Sequence, residues 1–191
     1  MKKHQAFFLI LILGPVLGGL YGILHDQITY SLSEEYYTKF KFIQFGLQGW
    51  GADVSTDPNA PEIIMPQPRL GAAVVGFMAT WWVGLFIGII LSLVGLIQKT
   101  GQQMWRITLR SFGWTLVIAL TTGLLSYLYG ITALAENPPD WRVPINTVDR
   151  EAFIAVGSMH NFSYLGGLLG LIFAVIYQVV SKKRLARKTI Y

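Results

Sequence analysis

The chain has 191 residues, 53% of them apolar, and a mean hydropathy of +0.48, more apolar than soluble domains normally are. Fifteen Lys/Arg against ten Asp/Glu leave a net charge of +5. With no cysteine, the chain excludes disulfides, thiolate metal sites, iron–sulfur clusters and Cys nucleophiles.

Four long apolar runs separate five polar pieces, and the charges sort among them by sign. The first, third and last pieces hold ten basic residues and no acid: Lys2, Lys3, Lys99, Arg106, Arg110, Lys182, Lys183, Arg184, Arg187 and Lys188. The second and fourth hold all ten acids and only Lys39, Lys41, Arg69, Arg142 and Arg150. Positive residues are retained on the cytoplasmic side of short loops, so this alternation predicts four spans with both termini cytoplasmic. The expected fold is an all-α, integral membrane four-helix bundle, N-in and C-in, in the plasma (bacterial inner) membrane. Residues 1–191 form one membrane domain whose first partner is the lipid bilayer. The basic charge serves orientation and anionic headgroups, and nucleic acid is not expected as a partner.

The first predicted span, Ala6 to Leu24, is uncharged and about 28 Å long, enough to cross the hydrocarbon. No small-x-small cleavage site follows it, so it reads as a retained anchor rather than a signal peptide. Gly14, Gly18 and Gly22 form a flat stripe for close helix contact, and Pro15 is expected to bend the helix. The outer segment 25–69 is too long for a simple connection. Ser33-Glu34-Glu35 ahead of Tyr36, Phe40, Ile43 and Leu47 reads as a capped helix along the membrane surface, although Lys39 to Phe42 alternates as a short strand would. Gly46 to Pro68 reads as irregular.

The second span, Leu70 to Ile97, carries Thr80-Trp81-Trp82 and the small pair Gly84 and Gly88. The third, Ser111 to Leu134, carries Thr121, Thr122, Ser126, Tyr127 and Tyr129. A turn-like outer loop, 135–151, begins with Asn137-Pro138-Pro139. The fourth span, Ala152 to Val180, holds Gly157, His160, Asn161, Ser163, Tyr164 and the pair Gly166 and Gly170. Small pairs in three of four helices predict a tightly packed bundle.

Polar side chains at membrane depth are costly and therefore candidates for function. His25 ends the first span on the outer side, and His160 lies some nine residues into the fourth from that same side, about 13 Å by helical rise. The candidate pocket comprises His25, Asp26, Glu34, Glu35, His160, Asn161, Ser163 and Tyr164. His25, Glu35 and His160 form the metal-ligating candidate, since two imidazoles and a carboxylate suit a divalent transition metal. The same groups would serve a proton relay. A purely structural role is also open, with His25 capping its helix and His160 hydrogen-bonded to Tyr or Ser across the bundle. Walker, dinucleotide-binding, HExxH and GxSxG signatures are absent.

Three segments carry a resemblance: His25-Asp26-Gln27 with Glu35-Tyr36-Tyr37-Thr38, then Ala79-Thr80-Trp81-Trp82-Val83-Gly84, then His160 with Ser163-Tyr164. Together they resemble a family of small bacterial multi-pass membrane proteins with no assigned activity. The family pattern has Phe where this chain has Tyr37. The resemblance implies that His25, Glu35 and His160 act as a unit, and it supplies no reaction. Three functional classes remain open from sequence: a membrane protein with an outward-facing polar or metal pocket, a non-enzymatic scaffold or accessory subunit docking a membrane-protein partner, and a small transporter working as a homo-oligomer.

Overall fold

The computed structural model describes residues 1–138 and 140–187. Pro139 and Lys188, read above as part of the second loop and of the last basic cluster, lie outside the described residues. Four helices dominate: α1 (Lys3–Leu32), α3 (Pro68–Gly95), α4 (Gly101–Tyr129) and α5 (Arg150–Arg187). A π-helical turn, Gly130–Leu134, prolongs α4. Each of the four is long and apolar enough to cross a membrane. The chain is thus built as a membrane protein. One end of the bundle carries the long loop and the other the N-terminus; these are called here the loop end and the terminal end.

The first helix runs unbroken through Pro15 and on to Leu32, two turns past the Leu24 boundary expected from hydropathy. Nothing between Leu24 and Leu32 stops a helix. Thr29 Oγ1 donates back to the His25 carbonyl at 3.2 Å and Ser31 Oγ to the Gln27 carbonyl at 2.9 Å, so these hydroxyls are satisfied within the helix. His25 and Asp26 therefore sit inside α1 and not at its end. Pro68 occupies the first turn of α3, where its missing N–H costs nothing. Thr100 caps α4 by accepting from the Gln103 N–H, and Asp149 accepts from the Ala152 N–H at the start of α5.

In the long loop, Ser33 Oγ accepts the Tyr36 N–H, and a π turn (Tyr37–Lys41) leads into the short helix α2 (Phe42–Gln44). This stretch is helical and not a strand. The segment read as irregular holds a small antiparallel ladder instead, β1 (Ala52–Asp53) with β2 (Ile63–Ile64), Ala52 opposite Ile64.

Glycines set the packing. A Cβ on Gly14 would lie 2.5 Å from the Gly84 carbonyl oxygen, and one on Gly18 would lie 2.8 Å from Gly84 Cα. A Cβ on Gly22 would collide with the Gly76 carbonyl. Thr80 Oγ1 donates across the contact to the Gly18 carbonyl at 2.8 Å. Similarly, Gly166 and Gly170 of α5 lie against Ala119 and Thr115 of α4, where a Cβ would approach their Cα atoms to 2.9 and 2.8 Å.

The bundle is thus two close pairs, α1 with α3 and α4 with α5, that touch each other more sparsely. Two apolar clusters join the pairs. At the loop end Tyr30, Tyr36, Tyr37, Phe42, Val75, Phe153 and Val156 pack together. At the terminal end Ala6, Ile10, Leu91, Met104, Phe112 and Ala174 do so. Gln98 and Gln178 reinforce that second junction by donating to the Gln178 and Leu91 carbonyls. Between the two junctions the pairs part.

Gly84→Leu should force α1 and α3 apart and destabilise the protein by at least about 1–3 kcal/mol, the usual range for overpacking. Gly113→Ala, where a Cβ meets nothing within 4 Å, should leave the melting temperature unchanged or raise it. Thermal melting in detergent compares the two. Equal melting temperatures for both variants would contradict this packing scheme.

Candidate metal centre

His25 and Asp26 from α1 and His160 from α5 meet in the gap between the helix pairs, all three buried. Asp26 Oδ1 lies 3.2 Å from His25 Nδ1 and 3.9 Å from His160 Nδ1, and the two imidazole centroids are 4.8 Å apart. Neighbouring residues on a helix do not normally face each other, but the His25 ring turns along the helix surface toward Asp26. The other nitrogen of His25, Nε2, is 3.0 Å from Ser163 Oγ of α5. A Cβ at Gly123 would collide with that hydroxyl, so the glycine in α4 makes room for it.

His160 is held chiefly by aromatic rings, with His25 edge-on to it and Tyr36 stacked. The Tyr36 ring lies nearly parallel to it, 5.1 Å between centroids and 16° between planes. His160 Nε2 has no hydrogen-bond partner, nor does Asp26 Oδ2, although Asp26 is 3% and His160 7% exposed. Buried polar atoms in folded proteins are rarely left so, and each calls for an explanation. Tyr21, one helical turn before His25, supplies a third buried unpartnered atom, its hydroxyl.

Spacing matters for what the cluster can hold. Bonds of about 2.1 Å to N or O ligands give ligand–ligand edges of about 3.0 Å in an octahedron and 3.4 Å in a tetrahedron. The observed 3.2 Å falls between them, the 3.9 Å edge is about half an ångström long, and the three ligand atoms lie within 4.8 Å of one another, so the helix pairs would draw together around a shared ion. Ser163 Oγ on His25 Nε2 is placed as an outer partner that leaves Nδ1 free to ligate.

The pocket residues read from sequence are distributed unevenly. His25, Asp26, His160, Ser163 and Tyr164 line one cleft. Tyr164 reaches over it and donates to the Ala79 carbonyl of α3 at 3.2 Å. Glu34 and Asn161 are exposed and take no part. Glu35, expected as the carboxylate ligand, is committed elsewhere: it pairs with Lys39 and accepts the backbone N–H groups of Val148 at 3.0 Å and Asp149 at 2.7 Å. Asp26 holds the place next to the imidazoles because α1 continues past Leu24 and carries it inward.

Glu35 and Lys39 instead staple the long loop to the start of α5. Lys39 is buried, donates to the Asn146 carbonyl at 2.7 Å and lies 3.7 Å from Glu62. Burial pushes the Glu35 carboxyl up, but the hydrogen bonds from Lys39, Val148 and Asp149 outweigh it and the net shift is downward. Burial and then the Asp26 carboxylate push the Tyr36 and Tyr37 hydroxyls up, so both stay protonated. Tyr37 shares a 2.6 Å hydrogen bond with Thr29, a bond that Phe at this position could not make. Lys41 packs within 5.2–5.6 Å of the Phe40, Tyr36 and Phe45 ring centroids, and burial lowers its pKa although Asp26 opposes this.

Sequence reading did not single out Tyr21 or Gly123. The i, i+4 spacing of Tyr21 to His25 was a usable signal. Gly123 carried none, because its role depends on which helix faces it. No protein-family model, no curated protein and no solved structure matches this chain.

Because its pKa is lowered on folding, Glu35 stabilises the loop-to-α5 junction fully above the ordinary carboxyl value of 4.5. That contribution is lost as pH falls through the lower folded value. Hydrogen exchange at Val148 and Asp149, corrected for intrinsic rates, should therefore rise in acid. Glu35→Gln should raise it already at neutral pH and cost about 1–3 kcal/mol, leaving Lys39 short of a partner. Unchanged exchange in the variant would contradict the staple.

Proposed function

We propose that the chain is a plasma-membrane metalloprotein, with a divalent transition metal held by His25 Nδ1, Asp26 Oδ1 and His160 Nδ1. The observation that carries this reading is a buried carboxylate set between two buried imidazoles, with Asp26 Oδ1 3.2 and 3.9 Å from their Nδ1 atoms. The metal would replace the proton that His25 and Asp26 otherwise share. Ser163 then accepts the remaining His25 N–H and fixes the ring. Three protein ligands leave at least one position open, the hallmark of a catalytic rather than a structural site. Held there, the metal would supply Lewis acidity beside the cleft, to polarise a substrate oxygen or lower the pKa of a bound water.

The charge alternation supports cytoplasmic termini, with the centre in the outer half of the membrane. The family resemblance implied a unit of His25, Glu35 and His160; the site proposed here keeps the two histidines and takes Asp26 as its carboxylate.

Metal analysis by mass spectrometry on detergent-purified protein tests this. One ion per chain is expected in the wild type and none in His25→Ala/His160→Ala. Ser163→Ala should keep the ion with affinity weakened about 10- to 100-fold, as for lost outer-shell partners. A wild type without stoichiometric metal overturns the reading.

One observation favours a second reading. Ser163 Oγ, His25 and Asp26 form a continuous hydrogen-bonded chain of 3.0 and 3.2 Å, with the connectivity of a nucleophile, base and orienting acid. In that case Ser163 Oγ attacks an acyl carbonyl carbon and its proton passes to His25 Nε2. His25 then returns the proton to the departing alcohol, and water releases the acyl group by the same route. Fluorophosphonate labelling of Ser163 in metal-free protein would favour this reading, and no labelling would exclude it.

A further inference from the structure

The cleft beside the centre extends far beyond it. It is a narrow groove, about 680 Å³ only when the solvent at its open mouth is counted, and both helix pairs line it. Along α1 its wall runs from Gly14 to Asp26, about 18 Å of helix and slightly more than half of a 30 Å hydrocarbon core. Leu17, Val83, Ile87, Phe112 and Leu116 form the deep part. Other polar residues there present carbon, because their hydroxyls are already bonded. Thr80 donates to the Gly18 and Gly76 carbonyls, Thr115 to the Ser111 carbonyl and Tyr164 to the Ala79 carbonyl.

Unpartnered polar atoms occur only toward the loop end of this wall: the Tyr21 hydroxyl, Asp26 Oδ2 and His160 Nε2. The cleft therefore has one long apolar arm and one polar end, and it opens between helices that lie in lipid.

We propose that the cleft binds a single hydrocarbon chain of a membrane lipid, inserted sideways from the bilayer, with its carbonyl-bearing end at the His25–Asp26–His160 centre. The length matches one leaflet, and the apolar wall matches a chain that has no hydrogen bonds to offer. The carbonyl end meets the groups that lack partners. This inference takes its polar anchor from the reading above and names the substrate class for it, while the chain-binding arm stands on the cleft alone.

The test uses the whole protein in phosphatidylcholine nanodiscs with a fatty acid that carries a diazirine in mid-chain. Photolabelling should be saturable by unlabelled fatty acid and concentrated on Val83, Phe112 and Leu116. Leu116→Trp and Val83→Trp, which fill the arm, should each reduce it at least about tenfold. Melting temperatures confirm folding, and competition on the wild type serves if a tryptophan variant fails to fold. His160→Ala should lose metal but keep labelling on the arm. Saturable labelling without wild-type metal would uphold this inference and sink the metal reading. Metal without saturable labelling would do the reverse. Labelling spread evenly over the exposed Leu125 and Leu168, or cross-links between two copies through the cleft, would overturn the lipid assignment.

Discussion

The backbone-to-backbone approach of α1 and α3 is the constraint from which the rest follows. Gly14, Gly18 and Gly22 meet Gly84, Thr80 and Gly76 so closely that no side chain fits between the helices. In lipid there is no hydrophobic drive between apolar helices, so association rests on dispersion and on hydrogen bonds such as that from Thr80 to Gly18. A helix gripped along one face for about two turns cannot rotate. That grip fixes the direction in which His25 and Asp26 point, toward the facing pair. The same device operates on the other side, where Gly166 and Gly170 clasp Ala119 and Thr115 and aim His160 and Ser163 back. Two rigid pairs, joined at both ends, leave a gap in the middle. The gap and the polar cluster are products of one packing choice.

Placing a carboxylate and two imidazoles in that gap is expensive in a bundle that is otherwise apolar. Part of the cost is offset by Ser163 on His25 and by the Tyr36 ring on His160. Part is not, because Asp26 Oδ2 and His160 Nε2 remain without partners. A structural role gives no reason to retain unsatisfied groups at these positions, since apolar side chains of the same size would pack without penalty. In the proposed reading a bound cation would supply that reason, neutralising the carboxylate and taking one lone pair from each imidazole.

Much of this was legible in the sequence, and its limits have physical causes. Hydropathy located the four helices, because the bilayer demands long apolar runs whatever the fold. The glycine spacing in α1 announced a flat face, and the depths of His25 and His160 put them at one level. Hydropathy misjudged the end of α1, because a helix can continue through polar residues such as Asp26 and Gln27 when neighbouring helices cover them. That error made Glu35 the nearer carboxylate in the reading. In the structure Glu35 is drawn off by Lys39 and two backbone N–H groups more than a hundred residues away, a pairing that no local pattern encodes. Asn161 was misplaced for a simpler reason: it adjoins His160, but successive residues on a helix diverge, and it points outward.

One metal ion held by His25, Asp26 and His160 would have a recognisable first shell. X-ray absorption at the edge of the metal that co-purifies with the protein in lipid tests it most directly. Expected is a first shell of nitrogen and oxygen alone at about 2.0–2.2 Å, with outer scattering from two imidazoles that disappears in His25→Ala/His160→Ala. An absent edge, or a shell without imidazole that the double variant leaves unchanged, would contradict it.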